Sequence, residues 1–159
     1  MTVDYLELSQ RMRGELADLE VSIQKARKSW ESAKKAGGDR DAYLDSVALN
    51  LHAFYSGLEK LFELIARHVD GSFPQGPSWH RDLLHQIAEE RAGVRPAVIS
   101  EGIARELDHY RRFRHLVRNV YTVSLEAEKM SGLVESLAGI WPKLFAEMSA
   151  FAMFLEALA

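Results

Sequence analysis

The residues best suited to chemistry lie in an arginine-rich stretch at positions 105–118. In a chain whose net charge is −3, this stretch holds five arginines against two carboxylates. A guanidinium group binds phosphate through parallel hydrogen bonds, which suits arginine better than lysine to such contacts. The stretch therefore predicts a local site for phosphate or another anion. Its charged residues are Arg105, Arg111, Arg112, Arg114 and Arg118, with Glu106 and Asp108.

A helical wheel of residues 107–121 separates the apolar from the polar side chains. Arg114 and Tyr121 lie at the border between the two arcs and two turns apart, so a guanidinium and a phenol can face one ligand or one partner helix. A solvated face on an ordinary amphipathic helix is the alternative interpretation. The apolar arc holds Tyr110, Phe113, Leu116, Val117 and Val120, and the polar arc holds Arg111, His115, Arg118 and Asn119.

Other kinds of site find little support in the sequence. The chain has no cysteine, which excludes disulfides, thiolate metal sites and cysteine nucleophiles. His80 and His85 are five positions apart and His109 and His115 six, so neither pair has the i, i+4 spacing of two ligands on one helical face. Gly37 and its neighbouring glycine lack the spacing of a phosphate-binding loop. We therefore expect no metal and no cofactor.

Length and composition predict one folded domain over residues 1–159. The chain is 47% hydrophobic and 27% charged, as in ordinary globular proteins. Its N-terminus lacks the basic and apolar segments of a secretory signal, and no apolar run approaches the length of a membrane span. We expect a cytoplasmic protein without a membrane partner.

Apolar residues recur at helical spacing in every segment, and no sustained strand-like alternation occurs. The sequence therefore predicts an all-α antiparallel bundle of about five helices, the last of them kinked at Pro142. The predicted helices run from about Asp4 to Ala36, from Asp39 or Asp41 to Gly71, from Ser78, from Pro96 to about Tyr121, and across Pro142 to the C-terminal residues.

The segment Phe113–Tyr121 resembles a known family signature. Its pattern is similar to that of HEPN domains of the HepT-like ribonuclease toxin type, in which Arg is followed by four residues, His, one residue and Tyr. Residues 79–84 and 95–100 look like the segments that precede this motif in the family. The resemblance covers about residues 42–155.

The resemblance implies an all-α HEPN bundle that forms a homodimer, with a metal-independent ribonuclease centre where the motif helices of two protomers meet. In the family the Arg holds the scissile phosphate, and the His moves protons as the ribose 2′-hydroxyl attacks. The partner in such toxin–antitoxin systems is a minimal nucleotidyltransferase, which can attach AMP to the motif Tyr. Carried over to this chain, Arg114 matches the Arg, Asn119 the His and Tyr121 the Tyr.

Asn119 is a departure from this pattern, because a carboxamide forms hydrogen bonds but does not titrate near neutral pH. None of the six histidines restores the motif in another register. His115 is the local candidate for a substitute, one turn before Asn119. Loss of proton transfer slows cleavage by roughly two to four orders of magnitude, while phosphate binding through Arg111 and Arg118 survives.

Three hypotheses follow from the sequence. The leading one is a dimeric HepT-like protein that binds RNA, a nucleotidyltransferase antitoxin or both, with ribonuclease activity weakened or lost. The second is an active metal-independent endoribonuclease toxin, with His115 or an unrecognised group as the base. The third is a plain helical interaction module, which predicts an arginine cluster that faces bulk solvent.

Overall fold

Five helices form the bundle in the computed structural model, which describes residues 4–119 and 127–159 and all their side chains except those of Arg118 and Asn119. The predicted all-α fold is confirmed. Within these described ranges the sole extended pairing is an isolated bridge between Arg91 and Arg95. The helices are α1 (Tyr5–Lys35), α2 (Arg40–Ile65), α3 (Trp79–Ala88), α4 (Glu101–Asn119) and α5 (Ala127–Leu158).

The first helix lies within one residue of its predicted bounds at either end. Asp4 caps its N-terminus by accepting a hydrogen bond from the Leu6 backbone N–H at 2.9 Å. Lys34 and Lys35 lie in its last turn, where cations complement the helix dipole. Its buried side chains recur every three or four residues, so one stripe packs against α2 and α5. They include Leu8, Met12, Leu16, Leu19, Ile23, Ala26 and Trp30.

The second helix occupies the centre of the bundle and contacts each of the other four. It continues into one π-helical turn, Ala66–Asp70, and Gly71 ends it with a left-handed φ of 66°, a conformation that glycine adopts without steric cost. The turn carries the Asp70 carboxylate into the interior, where its side chain is 0% exposed. The end of α2 therefore supplies a buried anion.

The connection between α3 and α4 differs from the prediction. The sequence predicts a helix start at Pro96, whereas α4 begins at Glu101. Arg95 accounts for the difference, because its Nε and Nη2 donate to the two Asp70 oxygens at 2.6 and 2.9 Å. This contact ties the residue before the proline to the end of α2, and residues 96–100 stay outside any helix until α4 begins.

Ser100 ends this connection and caps α4. Its hydroxyl accepts a hydrogen bond from the Ile103 backbone N–H at 3.3 Å. Its own N–H and hydroxyl donate to the Glu147 carboxylate of α5 at 2.6 and 3.0 Å. The start of α4 is therefore fixed against α5.

The last helix runs through Pro142 without a break, as predicted for a single helix. It packs against α1, α2 and α4, and its buried side chains join those of the other helices in one apolar cluster. No helix in the described part of the chain is long and apolar enough to cross a membrane.

Candidate functional site

The fourth helix has one buried and one exposed face, as the helical wheel predicts. Leu107, Tyr110 and Phe113 are buried, and the Tyr110 hydroxyl donates to the Leu133 carbonyl of α5 at 2.7 Å. His115 lies exposed on the other face. Of the polar arc, His115 is thus presented on the surface and Arg111 is partly exposed.

Arg114 lies at the border of these faces in the wheel, but in the structure its side chain points inward. The residue is 7% exposed, and its Nη1 donates to Glu59 Oε1 of α2 at 2.8 Å. Its guanidinium carbon lies 5.7 Å from the centre of the Tyr55 ring. A buried ion pair therefore joins α4 to the central helix.

His80 of α3 completes this cluster. Its Nδ1 lies 2.8 Å from Glu59 Oε2 and 2.9 Å from Arg114 Nη2. A protonated Nδ1 donates to the carboxylate, whereas an unprotonated Nδ1 accepts from the guanidinium, so one ring nitrogen serves two partners alternately. We name the three side chains, each from a different helix, the Glu59–His80–Arg114 cluster.

Aromatic contacts fix the His80 ring. Trp79 stacks on it with a centroid separation of 3.6 Å and an interplanar angle of 29°. Phe73 lies 5.3 Å from Trp79, and the Arg67 guanidinium lies 4.0 Å above the Phe73 ring. The His80 side chain remains 26% exposed, and no described residue hydrogen-bonds its Nε2. The imidazole is therefore held between its aromatic and ionic neighbours and remains partly exposed.

Burial controls the remaining groups of the cluster. The Arg114 Nε is buried and has no hydrogen-bond partner among the described residues. Burial raises the pKa of Tyr55 most, and the negative charge of Glu59 raises it further. The phenol is therefore neutral at physiological pH. Arg114 is permanently charged. The cluster thus combines a fixed cation, a buried carboxylate and an imidazole.

Two other arginines of α4 share one carboxylate. Arg111 Nε lies 2.7 Å from Asp108 Oδ1 and Arg112 Nη2 lies 2.9 Å from Asp108 Oδ2. Burial opposes the charged form of Asp108, but the hydrogen bonds and charges of the two arginines together lower its pKa. Part of the predicted cationic surface is therefore neutralised locally.

Three predicted site residues lie at positions 118, 119 and 121. The side chains of Arg118 and Asn119, and the whole of Tyr121, lie outside the described residues. Their predicted roles in RNA binding, in the motif and in modification stay predictions.

A groove of about 460 Å³ between α3 and α4 is a separate feature. It is lined by Arg105 and Arg112 but also by three carboxylates, Glu89, Glu101 and Asp108. This balance of charge does not favour a phosphate. No group of three or more ligating side chains suited to a metal ion occurs in the described part of the chain.

Sequence reasoning missed Glu59 and His80. A signal for Glu59 exists, because it is a carboxylate four positions after Tyr55 and three before Phe62, on the stripe that faces the core. For His80 the sequence offers its spacing from His85 and its place in the segment 79–84, which resembles one that precedes the family motif, and neither predicts a role in the site. Nothing in its local sequence indicates that it meets a residue 34 positions later.

A family model described as HepT-like protein matches residues 46–155, which is more than half of the chain. The match begins in α2, ends in α5 and includes all three members of the cluster. No curated protein and no solved structure matches the chain.

Proposed function

The chain belongs to the HepT-like protein family, and we propose that it is a toxin-type HEPN protein that binds RNA as a homodimer around Arg114. Its ribonuclease activity is weakened, because Asn119 occupies the position of the proton-transferring His. The surface around Arg114, together with Tyr121, is the proposed docking site of a minimal nucleotidyltransferase, and Tyr121 is the proposed site of modification.

The burial of Arg114 is the observation that carries this proposal. A plain interaction module predicts arginines in bulk solvent, whereas the Arg114 guanidinium lies against Glu59 and beside the partly exposed His80. Burying two ions costs several kcal/mol each, and apolar side chains hold two helices together equally well. The presence of this costly pair at the motif position favours a role in binding.

The chemistry of the surface suits an RNA backbone rather than a base sequence. Guanidinium groups bind phosphate oxygens, and an Asn119 amide at the motif position can hydrogen-bond a phosphate or a 2′-hydroxyl. Because phosphate contacts release counterions, RNA affinity is expected to fall steeply as salt rises. Arg111 contributes less than its charge suggests, since Asp108 neutralises part of it.

Restoring the motif histidine tests the proposal. The Asn119→His variant should cleave RNA about 10² to 10⁴ times faster than the wild type, with RNA affinity changed little. Gln10→His, on the exposed face of α1, is the matched control and should behave as the wild type does. Failure of every variant to bind RNA at low salt contradicts the proposal.

The antitoxin part is tested separately. After co-expression with a minimal nucleotidyltransferase, mass spectrometry should show one AMP on the wild type and none on Tyr121→Phe. An unmodified wild type that also forms no complex with the nucleotidyltransferase argues against this partner.

A further inference from the structure

We infer that His80 transfers the proton in the residual RNA cleavage and that Glu59 positions its ring. This inference rests on the proposed RNA-binding function and names the group that replaces the motif histidine. It is carried by the juxtaposition of a buried carboxylate, a partly exposed imidazole and a buried guanidinium from α2, α3 and α4.

The contact between Glu59 and His80 orients the imidazole. With a proton on Nδ1, the 2.8 Å contact to Glu59 Oε2 is a hydrogen bond that leaves Nε2 unprotonated. A buried carboxylate that accepts from Nδ1–H holds a histidine in the tautomer that a general base needs. The Glu59 side chain is 6% exposed, so water competes little for this bond.

The other nitrogen of this ring, Nε2, belongs to a side chain that is 26% exposed. No described residue occupies Nε2, and the stacked Trp79 prevents the ring from turning away. Imidazole is also the side chain whose charge normally changes near neutral pH, whereas Arg114 stays charged and the buried Tyr55 stays neutral. His80 is therefore the member of the cluster equipped to exchange a proton with a ligand.

Arg114 supplies charge to the same place. Its Nη2 lies 2.9 Å from His80 Nδ1, which sets a fixed cation beside the imidazole. Negative charge that develops on a phosphate next to His80 is stabilised by such a cation in a partly dry environment. The proposed base, His80, thus lies beside a cation, Arg114, that can stabilise negative charge on the phosphate.

The reaction is a transesterification within RNA. His80 Nε2 takes the proton of a ribose 2′-hydroxyl, and the 2′-oxygen attacks the adjacent phosphorus. The bond from phosphorus to the 5′-oxygen breaks, and the leaving oxygen takes a proton from water. The imidazolium then returns its proton to the hydroxide so formed. The products are a 2′,3′-cyclic phosphate end and a 5′-hydroxyl end.

The test compares His80→Gln with His85→Gln in the full-length protein, with RNA binding and cleavage measured in parallel. His85 is exposed on the same helix and serves as the matched control. Glutamine at position 80 has an amide that can donate to Glu59. We expect His80→Gln to lower kcat about 10² fold or more, with KM and the melting temperature close to those of His85→Gln.

Glu59→Gln tests the positioning role. It should lower kcat while KM changes little, and the double variant with His80→Gln should cleave no more slowly than His80→Gln alone, because the two residues act as a unit. Additive losses would contradict a role of Glu59 that acts through His80.

The outcomes separate this inference from the proposed function. RNA binding without any cleavage, or cleavage that survives His80→Gln and disappears in His115→Gln, overturns the role of His80 and leaves the RNA-binding proposal in place. Absence of RNA binding by the wild type overturns both. A cyclic phosphate product that His80→Gln no longer forms supports the inference.

Discussion

Two arginines are buried in the described part of the chain, and they have different sets of partners. Arg95 is 3% exposed and Arg114 is 7% exposed, and each pairs with a carboxylate of the segment that contains α2 and its π turn. Arg95 directs its five N–H donors to Asp70 and to backbone carbonyls of Gln86, Glu89 and Pro96. Arg114 contacts one carboxylate oxygen of Glu59 and one His80 nitrogen that Glu59 also contacts. Its buried Nε has no partner among the described residues.

The difference indicates which arginine serves the fold alone. A guanidinium whose donors are all satisfied by the protein has nothing left for a ligand, and Arg95 accordingly fixes a connection between helices. An unpaired buried donor costs about 1–3 kcal/mol, so Arg114 carries a cost that the fold does not require. We assign that cost to the proposed function of the cluster.

The largest loss of stability is expected at Arg95, whose N–H donors are all hydrogen-bonded. Arg95→Met leaves Asp70 buried without its main counterion, and breaking a buried pair costs about 3–5 kcal/mol of the free energy of unfolding. Arg91→Met is the control, since Arg91 lies 3.4 Å from the same carboxylate with 36% of its side chain exposed. Urea denaturation measures both, and equal losses would contradict a special role for Arg95.

A smaller effect on stability is expected at Arg114, whose Nε has no partner among the described residues. Arg114→Met leaves Glu59 with His80 as a partner and removes a donor that was already unsatisfied, so the loss should be about 1–3 kcal/mol. RNA affinity should also fall, and the slope of its logarithm against that of the salt concentration should decrease by about one. A loss of stability as large as that of Arg95→Met, with an unchanged salt slope, would assign both arginines to the fold.

The smallest effect on stability is expected at Asp108, whose two arginine partners lie on the same helix. Because its pKa is lowered in the folded state, Asp108 stabilises the protein above the usual aspartate value of about 3.9. That contribution disappears as the pH falls through the lower folded-state value. Asp108→Asn should therefore cost below about 1 kcal/mol at neutral pH and nothing at a pH below both values. A loss that persists in acid would rule out an ionic cause.

Much of the helix pattern could be predicted from local sequence. The apolar spacing of α1 and α2, the Asp4 cap, and the glycine after Asp70 are signals that act within a few residues. The start of α4 could not be predicted in this way, because the Arg95–Asp70 contact joins residues 25 positions apart. Local propensity favours a helix after Pro96, and the distant carboxylate overrides it.

The site was predictable only in part, because it too depends on contacts between residues that are far apart in the sequence. The motif resemblance identifies Arg114 from the segment around it, but the wheel leaves its direction undecided between the two arcs. Glu59 lies 55 positions away and His80 lies 34 positions away. Their meeting depends on how α2, α3 and α4 pack, which the periodicity of any one helix does not specify.

The most direct measurement follows the Nε–H resonances of the two buried arginines by NMR during titration with a 2′-O-methyl RNA, which cannot be cleaved through the 2′-oxygen. RNA bound at the Glu59–His80–Arg114 cluster should shift the Arg114 resonance and leave that of Arg95 unchanged. An Arg114 resonance that stays in place when the RNA is saturating would contradict a functional role for this arginine.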